Sequence, residues 1–304
     1  RKNLVKKITF ILFFYFIFNM VHAEENKMIL ITGATGKTGY EVAKNLGALG
    51  VPFKTLIRDP DKASQITELG GQPIVGSIED DVLLNQALEG VNRTLILLPN
   101  SEQQLSLEKQ FVDAAVKAQV KHVVKMSSME ALPEATRTIP RMHVESENHI
   151  KDSGLSWTMI KPNFFMQNLL GSGKTIKEQN KLFFPFANGT TAMMDVRDIG
   201  LFIAKVLSGE GHENQNYEIT GPELLSFHEV AEKFSIVLGK EINYVSVPMD
   251  AYKTTLSQFV TNQWHLDAVI DLFEDIAEGG LDYTTTPFSD LTGKSPCSLQ
   301  LFIE

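Results

Sequence analysis

Three glycines at a fixed spacing, Gly33, Gly36 and Gly39, follow a short apolar run at residues 28–32. Residues 40–49 then carry apolar side chains at helical intervals. A strand, a glycine-rich turn and a helix in this order can bind a diphosphate. Glycine lets the backbone approach the phosphates, and the first amides of the helix attract their charge. An ordinary tight turn is the alternative, but the flanking strand and helix favour a dinucleotide cofactor. The loop residues predicted to contact it are Gly33, Thr35, Gly36, Lys37, Thr38 and Gly39.

The second apolar stretch, residues 53–57, ends at Arg58. In dinucleotide-binding folds this strand end faces the adenine ribose, where an acidic residue favours NAD and an arginine favours the 2′-phosphate of NADP. Asp59 comes next, but a following Pro60 indicates a helix cap rather than a ribose contact. Lys62 is either a second phosphate partner or a solvated surface lysine. Arg58 therefore favours NADPH over NADH.

The elements that must position these residues alternate along the chain. Strands are predicted at 28–32, 53–57, 73–75, 94–98, 122–126 and 157–161, and helices at 40–49, 61–69, 81–88, 102–118 and 141–151. This alternation predicts an α/β fold with a doubly wound parallel sheet. Ligands of such sheets bind at the carboxyl ends of the strands. The strand ends predicted to surround one cleft are Gly33, Arg58, Pro99, Ser128 and Asn163.

The alternation loosens after Asn163. Short strands at 183–186 and 244–247 and helices at 198–207, 226–238 and 251–277 predict a smaller C-terminal lobe over the cleft. We therefore expect a nucleotide-binding core at 28–162 and a substrate lobe at 163–304, interleaved as one folding unit. Asp195 and Asp198, at the start of one of these helices, are interpreted as a cap and a structural hydrogen-bond acceptor.

Charge and cysteine content exclude several classes of function. The net charge is −9, and no basic run occurs beyond the N-terminus, so binding to nucleic acid through phosphate contacts is disfavoured. Cys297 is the single cysteine of the chain. It can form neither an intrachain disulfide nor a cysteine-based metal cluster.

The first 27 residues have a pattern of their own. Four cations, Arg1, Lys2, Lys6 and Lys7, precede an almost wholly apolar segment at 8–21, and Val21-His22-Ala23 resembles a cleavage site. This order predicts a signal peptide at 1–23 and an exported mature chain. The apolar segment is short for a membrane span, so no stable membrane insertion of the mature chain is expected. The alternative is a cytoplasmic protein whose translation starts at Met28.

Several stretches occur in a characteristic order: Ile31-Thr32-Gly33-Ala34-Thr35-Gly36, Arg58-Asp59-Pro60, His122-Val123-Val124-Lys125-Met126-Ser127-Ser128, Lys161-Pro162-Asn163-Phe164-Phe165-Met166, Met194-Asp195-Val196-Arg197-Asp198 and Leu291-Thr292-Gly293-Lys294-Ser295-Pro296. They resemble the NmrA-like family of atypical short-chain dehydrogenases, and within it the quinone, azo-dye and triphenylmethane-dye reductases. The resemblance covers residues 28–304 and implies an NAD(P)-binding Rossmann fold. It also implies cofactor contacts from Pro99, Ser127, Ser128 and Asn163, with Asn163 near the nicotinamide carboxamide.

The helix after the fifth strand departs from typical short-chain dehydrogenases, which carry Tyr-x-x-x-Lys there. Here His143 and Glu147 are four residues apart on one helix face, and a similar His-x-x-x-Glu is found in the reductases that the chain resembles. Without the tyrosine, reduction of a simple ketone is disfavoured, because a full negative charge on one oxygen needs a proton donor. His143 is either that donor or a surface histidine paired with Glu147. A metal site that adds Glu145 and His149 is disfavoured, because adjacent positions point to different helix faces.

The acceptor class follows from this missing acid. A quinone, an azo dye or a cationic triarylmethane spreads or cancels the charge that hydride transfer creates, so positioning it over the nicotinamide can suffice. Phe164, Phe165 and Met166 could stack on such a flat acceptor, or they could be core residues. Two functions stay open: an NADPH-dependent oxidoreductase for quinones or related electrophiles, and an NADP(H)-binding redox sensor without turnover. A homodimer is also left open.

Overall fold

The computed structural model describes residues 28–304. The predicted signal peptide at residues 1–23 lies outside this range and stays a prediction. Among the described helices, none is both long enough and apolar enough to span a bilayer.

A seven-stranded sheet forms the centre of the molecule. Its strands are β1 (Ile29–Ile31), β2 (Phe53–Ile57), β3 (Gln72–Val75), β4 (Arg93–Ile96), β5 (His122–Met126), β6 (Ser156–Pro162) and β9 (Gln215–Ile219). They lie in the order β3-β2-β1-β4-β5-β6-β9, and every neighbouring pair is parallel. The predicted α/β fold with a doubly wound parallel sheet is confirmed. Strand β9 was not indicated by the sequence, because it is an edge strand that begins with exposed polar Gln215 and Asn216.

Helices cover both faces of the sheet. They are α1 (Lys37–Ala48), α2 (Ala63–Glu68), α3 (Asp81–Leu88), α4 (Gln104–Lys117), α5 (Thr138–Asp152) and α7 (Val196–Ser208), and a short 3-10 turn at Pro60–Lys62 precedes α2. Helices α1 and α7 share one apolar core with β1 and β2, whereas α3 and α4 pack with β4 and β5 on the other face. A Cβ added to Gly200 of α7 would lie 2.4 Å from the Cβ of Glu41, so this glycine permits the close approach of α7 to α1.

The second half of the chain contributes to the sheet layer and also builds a separate apolar cluster. Strand β7 (Lys181–Phe184) pairs in parallel with β11 (Asn243–Ser246), and β8 (Thr190–Thr191) pairs antiparallel with β10 (Leu225–Ser226). Around these strands lie a 3-10 segment (Met166–Ser172) and helices α6 (Gly173–Gln179), α8 (Phe227–Leu238), α9 (Met249–Leu256), α10 (Gln263–Ala277) and α12 (Leu299–Ile303). Helix α11 (Pro287–Thr292) instead packs against α7, with Phe288 in the apolar core that α7 shares with the main sheet. The single helical stretch predicted at 251–277 is in fact two helices, α9 and α10. The chain breaks between them because Asn262 caps α10 by accepting a 2.8 Å hydrogen bond from the His265 amide.

Two aspartates anchor α7, as the sequence predicts. Asp195 Oδ1 accepts a 2.8 Å hydrogen bond from the Arg197 amide and caps the helix. Asp198 Oδ2 accepts a 2.6 Å hydrogen bond from the amide of Cys297, which ties the C-terminal segment to α7. Both carboxylates therefore have structural partners.

Candidate functional site

Two glycines of the loop between β1 and α1 pack closely against backbone carbonyl oxygens, and the third is exposed to solvent. Gly33 has a φ of +71°, and a Cβ there would lie 2.4 Å from the Leu97 carbonyl oxygen. A Cβ on Gly39 would lie 2.0 Å from the Gly33 carbonyl oxygen. Gly36 is exposed, and its Cβ would meet only the Gly33 oxygen, at 3.3 Å. Gly33 and Gly39 thus allow the tight turn, whereas Gly36 leaves a bare surface.

The start of α1 is open to a ligand. Gly36 is the N-cap of the helix and provides no side chain to satisfy the first amides. Thr35 and Lys37 beside it are exposed, and Thr38 is buried. Unpaired amides and the positive end of a helix dipole attract an anion. An anion such as a diphosphate could therefore bind at this helix start, and the contacts of the loop with a dinucleotide stay a prediction.

The end of β2 adds positive charge next to this loop. Arg58 follows Ile57 directly and is exposed, and within residues 28–304 its side chain makes no ion pair. Asp59 Oδ1 accepts a 3.0 Å hydrogen bond from the Asp61 amide, so Asp59 is a cap, as predicted. Lys62 is exposed one turn later. Because β1 and β2 are adjacent parallel strands, the glycine loop and Arg58 lie at the same edge of the sheet.

The ends of β4 and β5 continue that edge. The Thr32 hydroxyl accepts a 2.8 Å hydrogen bond from the Leu97 amide, which holds the end of β4 against the glycine loop, and Pro99 is exposed beyond it. Ser127 is buried and donates a 2.6 Å hydrogen bond to Glu147 Oε1. The buried hydroxyl of Ser128 has no hydrogen-bond partner in the described part of the chain. Ser127 is therefore engaged within the protein, and the contact of Ser128 with a cofactor stays a prediction.

His143 lies inside a buried ion network rather than at the cleft. Lys125 of β5 is fully buried, and its Nζ lies 2.6 Å from Glu108 Oε2 of α4. Burial by itself would raise the pKa of Glu108, but the ammonium and hydrogen bond of Lys125 outweigh burial and hold that pKa below its usual range. Burial and the Lys125 charge lower the pKa of His143 to about 3, so its imidazole is neutral at neutral pH. This argues against both interpretations made from the sequence, the proton donor and the surface histidine.

Glu147 belongs to a second network, on the same helix α5. Besides the Ser127 hydroxyl, its carboxylate contacts Lys161 Nζ at 3.0 Å and Lys151 Nζ at 3.4 Å. Lys161 also donates a 2.7 Å hydrogen bond to the carbonyl of Ala131 in the β5–α5 loop. Glu147 therefore fixes the end of β5 and the loop that follows it. His143 is not its partner.

The side chains that follow β6 mostly make contacts within the protein core. Asn163 is 1% exposed, and its Oδ1 accepts hydrogen bonds from the Phe164 amide and the Thr191 hydroxyl. Phe164 and Met166 are buried in the aromatic core of the second half, where the Phe164 ring contacts Phe186, Phe227 and Phe273 edge-on. Core packing thus describes Phe164 and Met166 better than the acceptor pocket expected from the sequence. Phe165 alone of the three keeps partial exposure.

Four charged residues at this edge were missed from the sequence: Glu108, Lys125, Glu130 and Lys161. A lysine inside an apolar strand, as in His122-Val123-Val124-Lys125-Met126, is the signal that could have revealed the first pair, because a buried lysine needs a buried partner. Within residues 28–304, no group of three or more His, Cys, Asp and Glu side chains is arranged to hold a metal ion.

Comparisons with known proteins agree with this geometry. The model of the NmrA-like family matches residues 25–291. The chain is 34% identical over 246 residues to an NAD(P)H azoreductase of Xenophilus azovorans, covering 81% of this chain and 86% of that protein. It is 26% identical over 277 residues to quinone oxidoreductase 2 of Escherichia coli strain K12, covering 90% and 96%.

Solved structures have the same fold. The E. coli NADPH-dependent quinone oxidoreductase in complex with NADPH superposes with a TM-score of 0.83 at 25% identity, covering 91% of this chain and 98% of that one. The Citrobacter triphenylmethane reductase in complex with NADP(H) superposes with a TM-score of 0.82 at 23% identity, covering 90% and 98%. The chain therefore belongs to the NmrA-like family and has the Rossmann-type fold of its NADPH-binding reductases.

Proposed function

We propose that this protein is an NADPH-dependent oxidoreductase that reduces a quinone or a similar conjugated electrophile. The observation that carries the proposal is the open glycine loop at the uncapped start of α1, with Arg58 beside it. The azoreductase and quinone oxidoreductase activities of the relatives support it.

Different residues would bind the two phosphate-bearing parts of the cofactor. The amides of the glycine loop would hold the diphosphate, and Arg58, with Lys62 near it, would pair with the 2′-phosphate. The bound cofactor would supply a hydride to the acceptor. The chain then has to orient a flat acceptor at the edge formed by Ser128 and the β5–α5 loop, and to exclude water there.

The class of acceptor that the site can reduce depends on which acids could donate a proton to it. Helix α5 has no tyrosine, and His143 is buried and neutral. A simple ketone would leave a full negative charge on one oxygen without the usual donor. An acceptor that delocalises the charge needs less help, which favours quinones and dyes over ketones.

Turnover with a panel of acceptors tests the proposal. The purified chain is titrated with NADPH by fluorescence and then mixed with NADPH and excess 1,4-naphthoquinone, an azo dye or a cationic triarylmethane dye. We expect many NADPH molecules oxidised per protein with at least one of them. Tight NADPH binding with no oxidation across the panel would reject the enzyme and favour the redox sensor.

Gly36→Val is the matched variant for the cofactor site. The backbone of Gly36 has φ −87° and ψ 171°, which valine adopts, and the added Cβ meets only one oxygen at 3.3 Å. The variant should fold but push its side chain into the path of the diphosphate. We expect NADPH affinity to fall by about tenfold or more, because the amides can no longer reach the phosphates. Unchanged affinity would place the cofactor elsewhere.

A further inference from the structure

Lys161 lies near the carboxyl end of β6 and is only 7% exposed. The register of the sheet places it level with the end of β5. Met126 pairs with Ile160, and the Ser127 amide donates a 2.8 Å hydrogen bond to the Ile160 carbonyl. A buried ammonium needs a partner for its charge and acceptors for its protons. The partners of Lys161 belong to other elements than β6.

The ammonium of Lys161 connects β6 to α5 and to the β5–α5 loop. Its Nζ lies 3.0 Å from Glu147 Oε1 of α5 and donates a 2.7 Å hydrogen bond to the Ala131 carbonyl of the loop. Ala131 is 2% exposed, and Glu147, 3% exposed, also accepts a 2.6 Å hydrogen bond from the Ser127 hydroxyl. Lys161, Glu147 and Ser127 therefore form a buried polar chain that ends on the backbone of the loop.

The loop that Lys161 contacts contains only short turns. The Ala131 amide donates a 3.1 Å hydrogen bond to the Ser128 carbonyl, which closes one turn. Met129, inside this turn, packs into the apolar cluster of the second half of the chain, whereas Leu132 beyond it is exposed. This part of the loop is therefore attached to the rest of the molecule by the apolar side chain of Met129 and by the polar contact of Lys161 with the Ala131 carbonyl.

The loop begins on the half of the sheet that would face the nicotinamide. The strand order reverses between β1 and β4, and dinucleotides cross a parallel sheet at such a point, outside the carboxyl ends of its strands. Arg58 follows β2, on the β1 side of this point, and would bind the adenosine half of the cofactor. The other half would then extend over the ends of β4 and β5, where the loop begins at Ser127. Because a hydride acceptor must lie beside the nicotinamide, the loop backbone would form part of the wall of its site.

We propose that Lys161 is a positioning residue, which holds the β5–α5 loop so that a bound acceptor is aligned with the nicotinamide. This inference rests on the proposed reductase function. Lys161 acts through the Ala131 carbonyl. Without the ammonium this buried carbonyl loses its donor, and a buried carbonyl without a partner favours movement of the loop toward water. A misplacement of about 1 Å caused by a distant substitution can lower the rate of a bound reaction by about 100-fold.

Two double variants that differ only in the lysine removed test this role. Lys161→Met alone would leave the buried Glu147 carboxylate without the cation 3.0 Å away and would destabilise the protein, so Glu147→Gln accompanies it. The comparison variant is Lys151→Met with Glu147→Gln. Lys151 contacts the same carboxylate at 3.4 Å, but it is partly exposed and lies over the Trp157 ring instead of binding the loop. Each double variant loses one cation and one anion, so the net charge is matched.

Turnover and cofactor affinity are measured on both double variants, with NADPH and an acceptor that the wild type reduces. The kcat per NADPH-binding site should be lower by about tenfold or more in the Lys161 double variant than in the Lys151 double variant. The Kd for NADPH should differ by less than about twofold, because substitutions at separate sites act almost independently. A purely structural role would reduce the number of NADPH-binding sites but not the turnover at each site. Equal kcat values would overturn the proposal, as would a loss of NADPH affinity as large as the loss of kcat.

Amide hydrogen exchange of the protein without cofactor or acceptor tests the loop directly. The amides of Ala131 and Ala135, which are bonded within the loop, should exchange faster by about tenfold or more in the Lys161 double variant than in the Lys151 double variant. The amides of β5 should exchange equally in the two. Equal exchange of the loop amides would show that Lys161 does not hold the loop, and the inference would fail while the reductase proposal stood. If the wild type turns over no acceptor at all, the reductase proposal itself fails, and this inference fails with it.

Discussion

We propose that the choice of cofactor depends on Arg58. It is exposed at the end of β2, adjacent to the glycine loop, and Asp59 beside it is engaged as a helix cap. The Asp59 carboxylate is therefore engaged by the backbone of its own turn. An unpaired guanidinium offers a planar set of donors to a phosphate.

Arg58→Ala should separate the two nicotinamide cofactors. We expect the Kd for NADPH to rise by about tenfold or more, since hydrogen bonds to a charged group contribute about 1.5–3 kcal/mol. The Kd for NADH should change by less than about twofold, because NADH has no 2′-phosphate. Fluorescence titration with both cofactors measures this. Arg141→Ala, an exposed arginine of α5, is the control for loss of positive charge. Equal losses for both cofactors would refute the assignment of Arg58.

At the scale of elements, one arginine joins the start of α5 to α10. Arg137, at the N-terminus of α5, forms ion pairs with four acids of α10 and its C-terminal end: Asp271, Glu274, Asp275 and Glu278. The Thr138 amide adds a 2.9 Å hydrogen bond to Asp271 Oδ2. Without the guanidinium, these acids would repel one another, and of the polar contacts named here only the bond from the Thr138 amide would still join α10 to α5.

Arg137→Met should destabilise the contact between α5 and α10. We expect the free energy of unfolding to fall by about 2 kcal/mol, less than for a fully buried ion pair because part of the network is exposed. Urea unfolding at low and high salt measures the loss, which should shrink in 1 M NaCl as the wild-type pairs are screened. Arg141→Met on the same helix, whose contact with Glu145 is 3.9 Å, should change stability by less than about 0.5 kcal/mol. An equal change in the free energy of unfolding for the two variants would show that Arg137 does not stabilise the contact between α5 and α10.

The sequence predicts the elements of this site better than its side-chain partners. The glycine loop, the cap at Asp59 and the parallel sheet follow from local spacing and alternation, which a single sequence displays. The pairing of Lys125 with Glu108 does not, because it joins β5 to α4 across the fold. For the same reason His143 could not be recognised as buried, and neither could Glu130, whose pKa is raised above all by burial.

At the scale of the whole molecule, buried histidines couple stability to pH. His122, at the start of β5, is 2% exposed, and its Nε2 lies 2.8 Å from the Thr158 hydroxyl. Burial, reinforced by the charge of Arg93, lowers its pKa to about 4, and that of His143 falls to about 3. In the unfolded chain a histidine titrates near its reference value of 6.5. Between pH 6.5 and pH 4 the unfolded state therefore binds protons that the folded state does not, and stability falls as the pH falls. Burial also lowers the pKa of His212, which adds to the effect of the other two histidines, whereas Glu130 acts in the opposite direction between pH 4.5 and pH 7.

His122→Asn isolates one of these groups. Wild-type protein should be less stable to urea at pH 5 than at pH 7.5, and His122 should account for about 2 kcal/mol of the difference, since one pKa unit corresponds to about 1.4 kcal/mol. Asparagine can still bond to Thr158 but does not titrate, so the variant should show a correspondingly smaller drop between the two pH values. His228→Asn, at an exposed position of α8, is the control, and its stability should fall between pH 7.5 and pH 5 as much as that of the wild type. If the free energy of unfolding of His122→Asn fell between pH 7.5 and pH 5 as much as that of the wild type, the His122 imidazole of the wild type would have to be protonated in the folded state. Because His122 lies at the amino end of β5, opposite the edge that carries the glycine loop, cofactor affinity at pH 7.5 should not change with this substitution.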